Sequence, residues 1–140
     1  GAHLAGAAIE NSMLGATHAL ANPLSAHYGM THGVAVGLML PHVIRFNHES
    51  AEEIYSELLE AAGLGCGADE TAAEALATSV EQMRSDAGLP ATLAECDIQD
   101  DLLDQLAAEA AEQWTGKFNP RPVTAETLKG LYQCAAPRRS

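Results

Sequence analysis

The first third of the chain is almost free of charge. Between residues 2 and 46, Glu10 and Arg45 are the only Asp, Glu, Lys or Arg side chains. A helix with so little charge has no polar face to turn toward water, so it packs against other helices over most of its surface. We therefore predict two buried helices here. One covers residues 2–21, and the other begins after Thr31 and lies in the middle of the domain.

Prolines and glycines divide this region. Pro23 suits the first turn of a helix, which predicts a break near residues 21–22 and a short helix after it. Gly29 is expected to end that short helix, and Thr31 to cap the next one. Pro41 is expected to kink or interrupt the helix that Thr31 starts.

Beyond Asn47 the pattern becomes that of amphipathic helices with acidic outer faces. Turn and cap residues predict four helices, over residues 50–62, 69–86, from 97 or 100 to about 114, and from 124 onward, and the first of them should bury Ile54, Leu58 and Leu59. Aromatic residues make up only 4% of the chain, and the Ala-, Leu- and Glu-rich remainder favours helices over strands. We predict a single all-α domain over residues 1–140, a bundle of about six or seven helices.

Charge and cysteine content restrict the function. The formal net charge is -12, from 19 acidic and 7 basic residues, so the surface repels nucleic acid and anionic membranes. No stretch has the roughly 18 apolar residues of a membrane span. The three cysteines are not spaced as in a disulfide framework or a zinc site. Cysteines that form no disulfide are typical of proteins in a reducing compartment. We expect a cytoplasmic protein that binds neither nucleic acid nor membranes.

His18 and His32 are the strongest candidates for chemistry. Each follows a threonine, and each lies where a predicted buried helix meets a break. Helix ends that face a common cleft can present imidazoles to a divalent metal, although a catalytic site usually has three or four protein ligands. On spacing alone, hydrogen-bonded core histidines explain the pair at least as well as a metal site does.

Several short motifs identify this region further. They are AIENSMLG at residues 8–15, His18-Ala19, Asn22-Pro23-Leu24, Tyr28, His32-Gly33, LPHVIRFN at residues 40–47 and NPRPVT at residues 119–124. In these motifs the chain resembles the iron-containing (group III) alcohol dehydrogenases, and the similarity extends along essentially its whole length. The resemblance implies the C-terminal helical domain of a two-domain enzyme. The N-terminal nucleotide-binding domain and the first ligand-bearing helix would both lie outside this sequence.

The resemblance also implies a set of site residues. The family holds a divalent metal, usually Fe²⁺ or Zn²⁺, with one Asp and three His, and His18 and His32 match two of these. Because the other two ligands would lie on the earlier helix, this chain is expected to bind metal weakly. Asn22 matches a position at which many members have a histidine that faces the nicotinamide. Ile9 matches a position whose side chain often lines the substrate pocket. The alternative for Asn22 is a cap or turn residue before Pro23, and the alternative for Ile9 is packing in the core.

The other histidines match no ligand position. His27 has no expected role, His42 is expected to cap or hydrogen-bond near Pro41, and His48 to lie on the surface.

The function implied is NAD(P)-linked interconversion of a small alcohol and an aldehyde or ketone, with the metal as Lewis acid. The isolated chain should be inactive, since it lacks a phosphate-binding loop and half of the ligands. Two alternatives stay open. One is a stand-alone helical binding or assembly module, which would self-associate through the face left uncovered. The other is part of a maleylacetate- or polyol-reducing relative.

Overall fold

The computed structural model describes residues 1–136, with every side chain in that range except that of Ser12. Seven α-helices and no β-strand occur in this range. The helices are α1 (Ala2–Ser12), α2 (Ala16–Tyr28), α3 (His32–Phe46), α4 (His48–Ala62), α5 (Ala72–Asp86), α6 (Leu103–Glu112) and α7 (Ala125–Ala135). This confirms the predicted all-α bundle of six or seven helices. None of the helices in residues 1–136 combines the length and hydropathy needed to cross a bilayer.

Helix α3 forms the centre of the bundle. It packs against α2, α5 and α7, and its Ala35, Leu38 and Met39 are fully buried. Helices α6 and α7 complete this main core, while α4 and α5 enclose a smaller one around Leu59 and Leu76. The predicted central position of the second apolar segment is thus confirmed.

Helix α1 contradicts the prediction of one buried helix over residues 2–21. It ends at Ser12, and Met13 adopts a left-handed φ of 63° before α2 begins. Leu4 is 73% exposed and Ile9 46% exposed, because no helix among the described residues packs closely against α1. Lack of charge indicates that a helix needs a partner, but it does not indicate that the same chain provides one.

The predicted break at residues 21–22 is also wrong, because α2 runs through Pro23 without interruption. A proline inside a helix removes the hydrogen bond to the carbonyl four residues earlier. Contacts with the rest of the bundle stabilise the helix at this point. Leu20 and Leu24 are fully buried, and the hydroxyl of Tyr132 on α7 donates to the carbonyl of Leu20 at 2.7 Å. Pro41 likewise lies inside α3.

The acidic helices follow the predicted order, with local differences. On α4, Leu59 is buried as expected, but Ile54 and Leu58 are 64% and 49% exposed because α5 covers only one narrow face. Helix α5 is capped by Thr71 rather than by residue 69, since the Thr71 hydroxyl accepts the N–H of Glu74. Helix α7 begins after Thr124 as predicted.

Two buried asparagines join distant parts of the chain. Asn119 Nδ2 donates to Asn47 Oδ1 at 2.7 Å, and Asn47 Nδ2 donates to Asn119 Oδ1 at 3.1 Å. Asn119 Oδ1 also accepts the N–H of Ala16, at 3.2 Å. Gly15 makes this approach possible, since a Cβ there would lie 3.2 Å from Asn119 Oδ1. The start of α2, the end of α3 and the turn at residue 119 are therefore held together.

Arg121 strengthens the same junction. Its guanidinium lies 4.4 Å from the centre of the Phe46 ring and donates to the Phe46 carbonyl at 3.0 Å. The two motif segments at residues 40–47 and 119–124 therefore meet in space.

Replacing Asn119 should destabilise the bundle. Asn119→Ala leaves the Asn47 amide and the Ala16 N–H without their partners in the interior, which we expect to lower the free energy of unfolding by about 2–4 kcal/mol. The matched control is Asn11→Ala, because Asn11 is exposed and its amide donates to the Ala7 carbonyl of the same helix. Its effect should stay within about 0.5 kcal/mol. Urea denaturation measures both changes, and equal effects would contradict this role for Asn119.

Candidate metal centre

The structure brings the side chains of His18 and His32 together. His18 lies in the first turn of α2, and His32 is the first residue of α3. Gly29 ends α2 with a left-handed φ of 61°, so the chain reverses and carries His32 back toward His18. The two ring centres are 5.4 Å apart, with an angle of 46° between the ring planes.

This separation suits two ligands of one metal ion. Two imidazoles bound through nitrogen at ~2.1 Å to a tetrahedral ion have ring centres roughly 5 Å apart. Neither ring forms a hydrogen bond to another of the described residues, so their nitrogens are available, and His32 is exposed. Burial, and secondarily the neighbouring His32, lower the pKa of His18, which favours the neutral imidazole that binds metal.

The described residues do not complete a metal site. Nowhere between residues 1 and 136 do three or more His, Cys, Asp or Glu side chains converge as a metal would require. His18 and His32 can therefore occupy two positions around an ion, and water or other protein groups must occupy the rest.

Asn22 lies one helical turn after His18, on the same side of α2. It sits inside the helix, so the alternative of a turn residue before Pro23 is wrong. Its Nδ2 donates to Oε1 of Gln113 at 2.9 Å, just before the short 3₁₀-helix Trp114–Phe118. Sequence reasoning did not find Gln113, because 91 residues separate the partners and no local pattern marks the contact.

Ile9 lies on the exposed helix α1, so the alternative of core packing is wrong. Its assignment to a substrate pocket stays a prediction. His48 is exposed as predicted, and His27 pairs with Glu109 at 2.5 Å between Nε2 and Oε2.

A separate groove lies elsewhere on the bundle. It has a volume of about 970 Å³ and is lined by His42, Arg45 and residues of α5, α6 and α7, without His18 or His32. Arg45 donates to both carboxylate oxygens of Glu74 and of Glu81, at 2.6–3.0 Å, and thereby joins α3 to α5. These hydrogen bonds lower the pKa of both glutamates. Arg45, Glu74 and Glu81 are thus engaged with one another, which is typical of a structural contact.

The chain is similar to known proteins in both sequence and structure. The family model "Fe-containing alcohol dehydrogenase family, C-terminal" matches residues 1–136. Lactaldehyde reductase of Escherichia coli (strain K12) is 33% identical over 138 residues, which are 96% of this chain and 36% of that protein. NADPH-dependent butanol dehydrogenase of Clostridium saccharobutylicum is 29% identical over 94% of this chain and 35% of its own length.

Solved structures agree with the sequence comparison. An alcohol dehydrogenase from Oenococcus oeni superposes with a TM-score of 0.87 at 30% identity, over 94% of this chain and 35% of that one. A 1,3-propanediol oxidoreductase gives a TM-score of 0.81 at 28% identity, over 88% and 33%. The chain therefore spans about a third of the length of the relatives it matches.

Acidification should destabilise the protein through His42. Burial, and to a lesser extent Arg45 and Arg84, lower the pKa of His42 below 6.5, against an opposing effect of Glu81. The unfolded chain then takes up the proton first, so stability is lost as the pH falls through about 6.5. The lowered pKa of His18 acts in the same direction. We expect His42→Gln to lose less stability than the wild type between about pH 7.5 and pH 5 in urea denaturation. His48→Gln, at an exposed site, should behave like the wild type.

The chain should bind a divalent transition metal weakly, through His18 and His32 together. Titration with Zn²⁺, followed by NMR of the imidazole protons, should shift the signals of both rings in parallel. His18→Ala should abolish the shift at His32, because a single imidazole holds an ion poorly. His48→Ala is the matched control and should leave the shifts intact. An unchanged response in His18→Ala would show that the two rings do not share an ion.

Proposed function

Because this chain belongs to the iron-containing alcohol dehydrogenase family and corresponds to its C-terminal part, we propose that it is the metal-holding helical domain of such an enzyme. The whole enzyme would interconvert a small alcohol and an aldehyde or ketone with NAD(P). The observation that supports this most directly is the 5.4 Å separation of the His18 and His32 rings, the two residues assigned as ligands by their motifs. The comparisons do not favour a stand-alone helical module.

In this proposal His18 and His32 supply two neutral donors to a divalent ion, Fe²⁺ or Zn²⁺. Neutral imidazoles leave the positive charge of the ion undiminished, unlike carboxylates or thiolates. A bound ion of this kind acts as a Lewis acid that polarises a carbonyl or stabilises an alkoxide. The amide of Asn22, one turn from His18, offers hydrogen bonds to a substrate or nicotinamide but cannot transfer protons near neutral pH.

The remaining parts of the site would come from a longer protein. A nucleotide-binding domain would supply the NAD(P) site, and a preceding helix an Asp and a third His. The exposed apolar side chains of α1, Leu4 and Ile9 among them, are suited to contact that additional protein or the substrate. Self-association through α1 is the alternative use of the same surface. A cytoplasmic location belongs to the same proposal, and Cys66, Cys96 and Cys134 are all free thiols.

Activity assays of the full-length enzyme test this function. With Fe²⁺ or Zn²⁺ present, it should reduce NAD⁺ or NADP⁺ in the presence of a small alcohol. His18→Ala and His32→Ala should each lower kcat/KM by more than about 100-fold. Replacing a residue that only hydrogen-bonds to a metal ligand already lowers metal affinity or activity about 10- to 100-fold. His48→Ala should retain wild-type activity, because the side chain is exposed and outside the pair.

The 140-residue chain by itself should show no NAD(P)-linked turnover under these conditions. Robust turnover by the isolated chain would contradict the division of the site between this domain and the rest of the enzyme. A full-length protein inactive toward every small alcohol and aldehyde would overturn the proposed function itself.

A further inference from the structure

Residues 113–119, which we call the brace segment, run along the first two turns of α2. At one end of the segment, Asn119 Oδ1 accepts the N–H of Ala16 at 3.2 Å. At the other end, Gln113 Oε1 accepts a hydrogen bond from Asn22 Nδ2 at 2.9 Å. Because the partner numbers fall as the numbers along α2 rise, the segment lies antiparallel to the helix.

Gly116 provides a third contact, between these two ends. It is buried, and a Cβ built on it would lie 3.6 Å from Ala19 Cβ and 3.3 Å from Val123 Cγ2. The lack of a side chain at Gly116 therefore lets the brace segment approach α2 closely. The segment contacts α2 at residues 16, 19 and 22, so it follows the helix rather than crossing it.

These contacts lie on both sides of His18 along α2. Ala16 precedes His18 by two residues, and Asn22 follows it by about one helical turn. The backbone that carries the imidazole is thus held before and after His18. The brace segment contains no His, Cys, Asp or Glu, so it cannot supply a strong ligand itself. Any effect of the segment on a bound metal must act through the position of His18.

The brace segment is also anchored to α3. Asn119 exchanges two hydrogen bonds with Asn47 at the end of α3, and both side chains are buried. Two residues further on, Arg121 donates to the Phe46 carbonyl at 3.0 Å. Since α3 begins with His32, the segment connects the helix of one imidazole to the helix of the other.

We propose that the brace segment positions His18 against His32, with Gln113 and Asn119 as positioning residues of the metal centre. This inference rests on the proposed function, since it concerns the ion that the two imidazoles share. Both rings bind one ion only while their nitrogens lie within reach of the same point. If the start of α2 moves away for part of the time, the apparent affinity for the ion falls by that fraction. The segment therefore raises metal affinity without contributing a ligand.

Titration of the 140-residue chain with Zn²⁺, followed by NMR of the imidazole protons, tests this role. Gln113→Met keeps the length of the side chain but removes both hydrogen-bonding groups. It should raise the Kd for Zn²⁺ about two- to tenfold, which corresponds to the loss of one neutral hydrogen bond. In the metal-free chain, the same variant should weaken the nuclear Overhauser effects between the two rings, whose centres are 5.4 Å apart in the structure.

Two further variants probe the ends of the brace segment. Gln113→Glu still accepts a hydrogen bond from Asn22 Nδ2, so it should restore the contact between the two rings in the metal-free chain. Asn119→Ala releases the other end from Ala16 and should also raise the Kd for Zn²⁺. This second variant keeps the test valid if Gln113→Met does not fold.

Two controls separate positioning from a general loss of stability. Gln105→Met is the matched control for Gln113→Met, because the Gln105 amide donates to Glu109 on the exposed face of α6. Leu59→Ala removes a buried side chain from the smaller core between α4 and α5. It should lower the stability of the chain but leave the Kd for Zn²⁺ and the ring contact unchanged, at a temperature at which all variants are folded.

The outcomes distinguish this inference from the proposed function. If the wild-type chain binds Zn²⁺ through both rings, an unchanged Kd in Gln113→Met and Asn119→Ala would overturn the inference alone. An equal rise of the Kd in Leu59→Ala would also overturn it, because a general loss of stability would then explain the effect. A wild-type chain in which Zn²⁺ shifts the signals of neither ring would overturn the proposed metal-holding function and this inference with it.

Discussion

The reciprocal hydrogen bonds between Asn47 and Asn119 are the contact on which the arrangement of the site depends. They link residues 72 positions apart, and Asn119 also accepts the N–H of Ala16 at the start of α2. His18 lies two residues beyond Ala16, so this junction fixes the first turn of α2 relative to α3. The junction is buried, so an unsatisfied amide there costs more than it would at the surface. This requirement explains why an asparagine stands at each position.

The histidine pair follows from this anchoring together with the packing of α2 against α3. Leu20 and Leu24 of one helix and Ala35 and Leu38 of the other share the main core. Gly29 allows the reversal between the two helices because its φ of 61° is unfavourable for residues with a side chain. The helices that carry the two imidazoles are thus packed against each other, with the rings 5.4 Å apart. Arg45 acts at the other side of α3, where it joins α5 through two carboxylates.

Several features of the fold could be predicted from local pattern, and others could not. The start of α7 at Thr124 was evident from sequence, because helix starts are encoded by residues within one turn. The continuation of α2 through Pro23 was not, because the fully buried Leu20 and Leu24 and the hydroxyl of Tyr132 on α7 stabilise it. The exposure of Ile54 and Leu58 similarly reflects how little of α4 the neighbouring helix covers. The apolar periodicity predicts which side chains of a helix are suited to burial. The neighbouring helices determine how many of those side chains are actually buried.

By itself, the sequence determined the all-α class, the main helices and the two histidines, because composition, caps and short motifs are encoded within a few residues. Only the tertiary structure decided that the two imidazoles lie 5.4 Å apart and that Asn22 bonds to Gln113. It also decided that most of the described side chains of α1 are exposed. The physical reason is the same in each case. A contact between residues 14 or 91 positions apart depends on how whole helices pack. The local sequence around either residue does not indicate which distant residue it contacts.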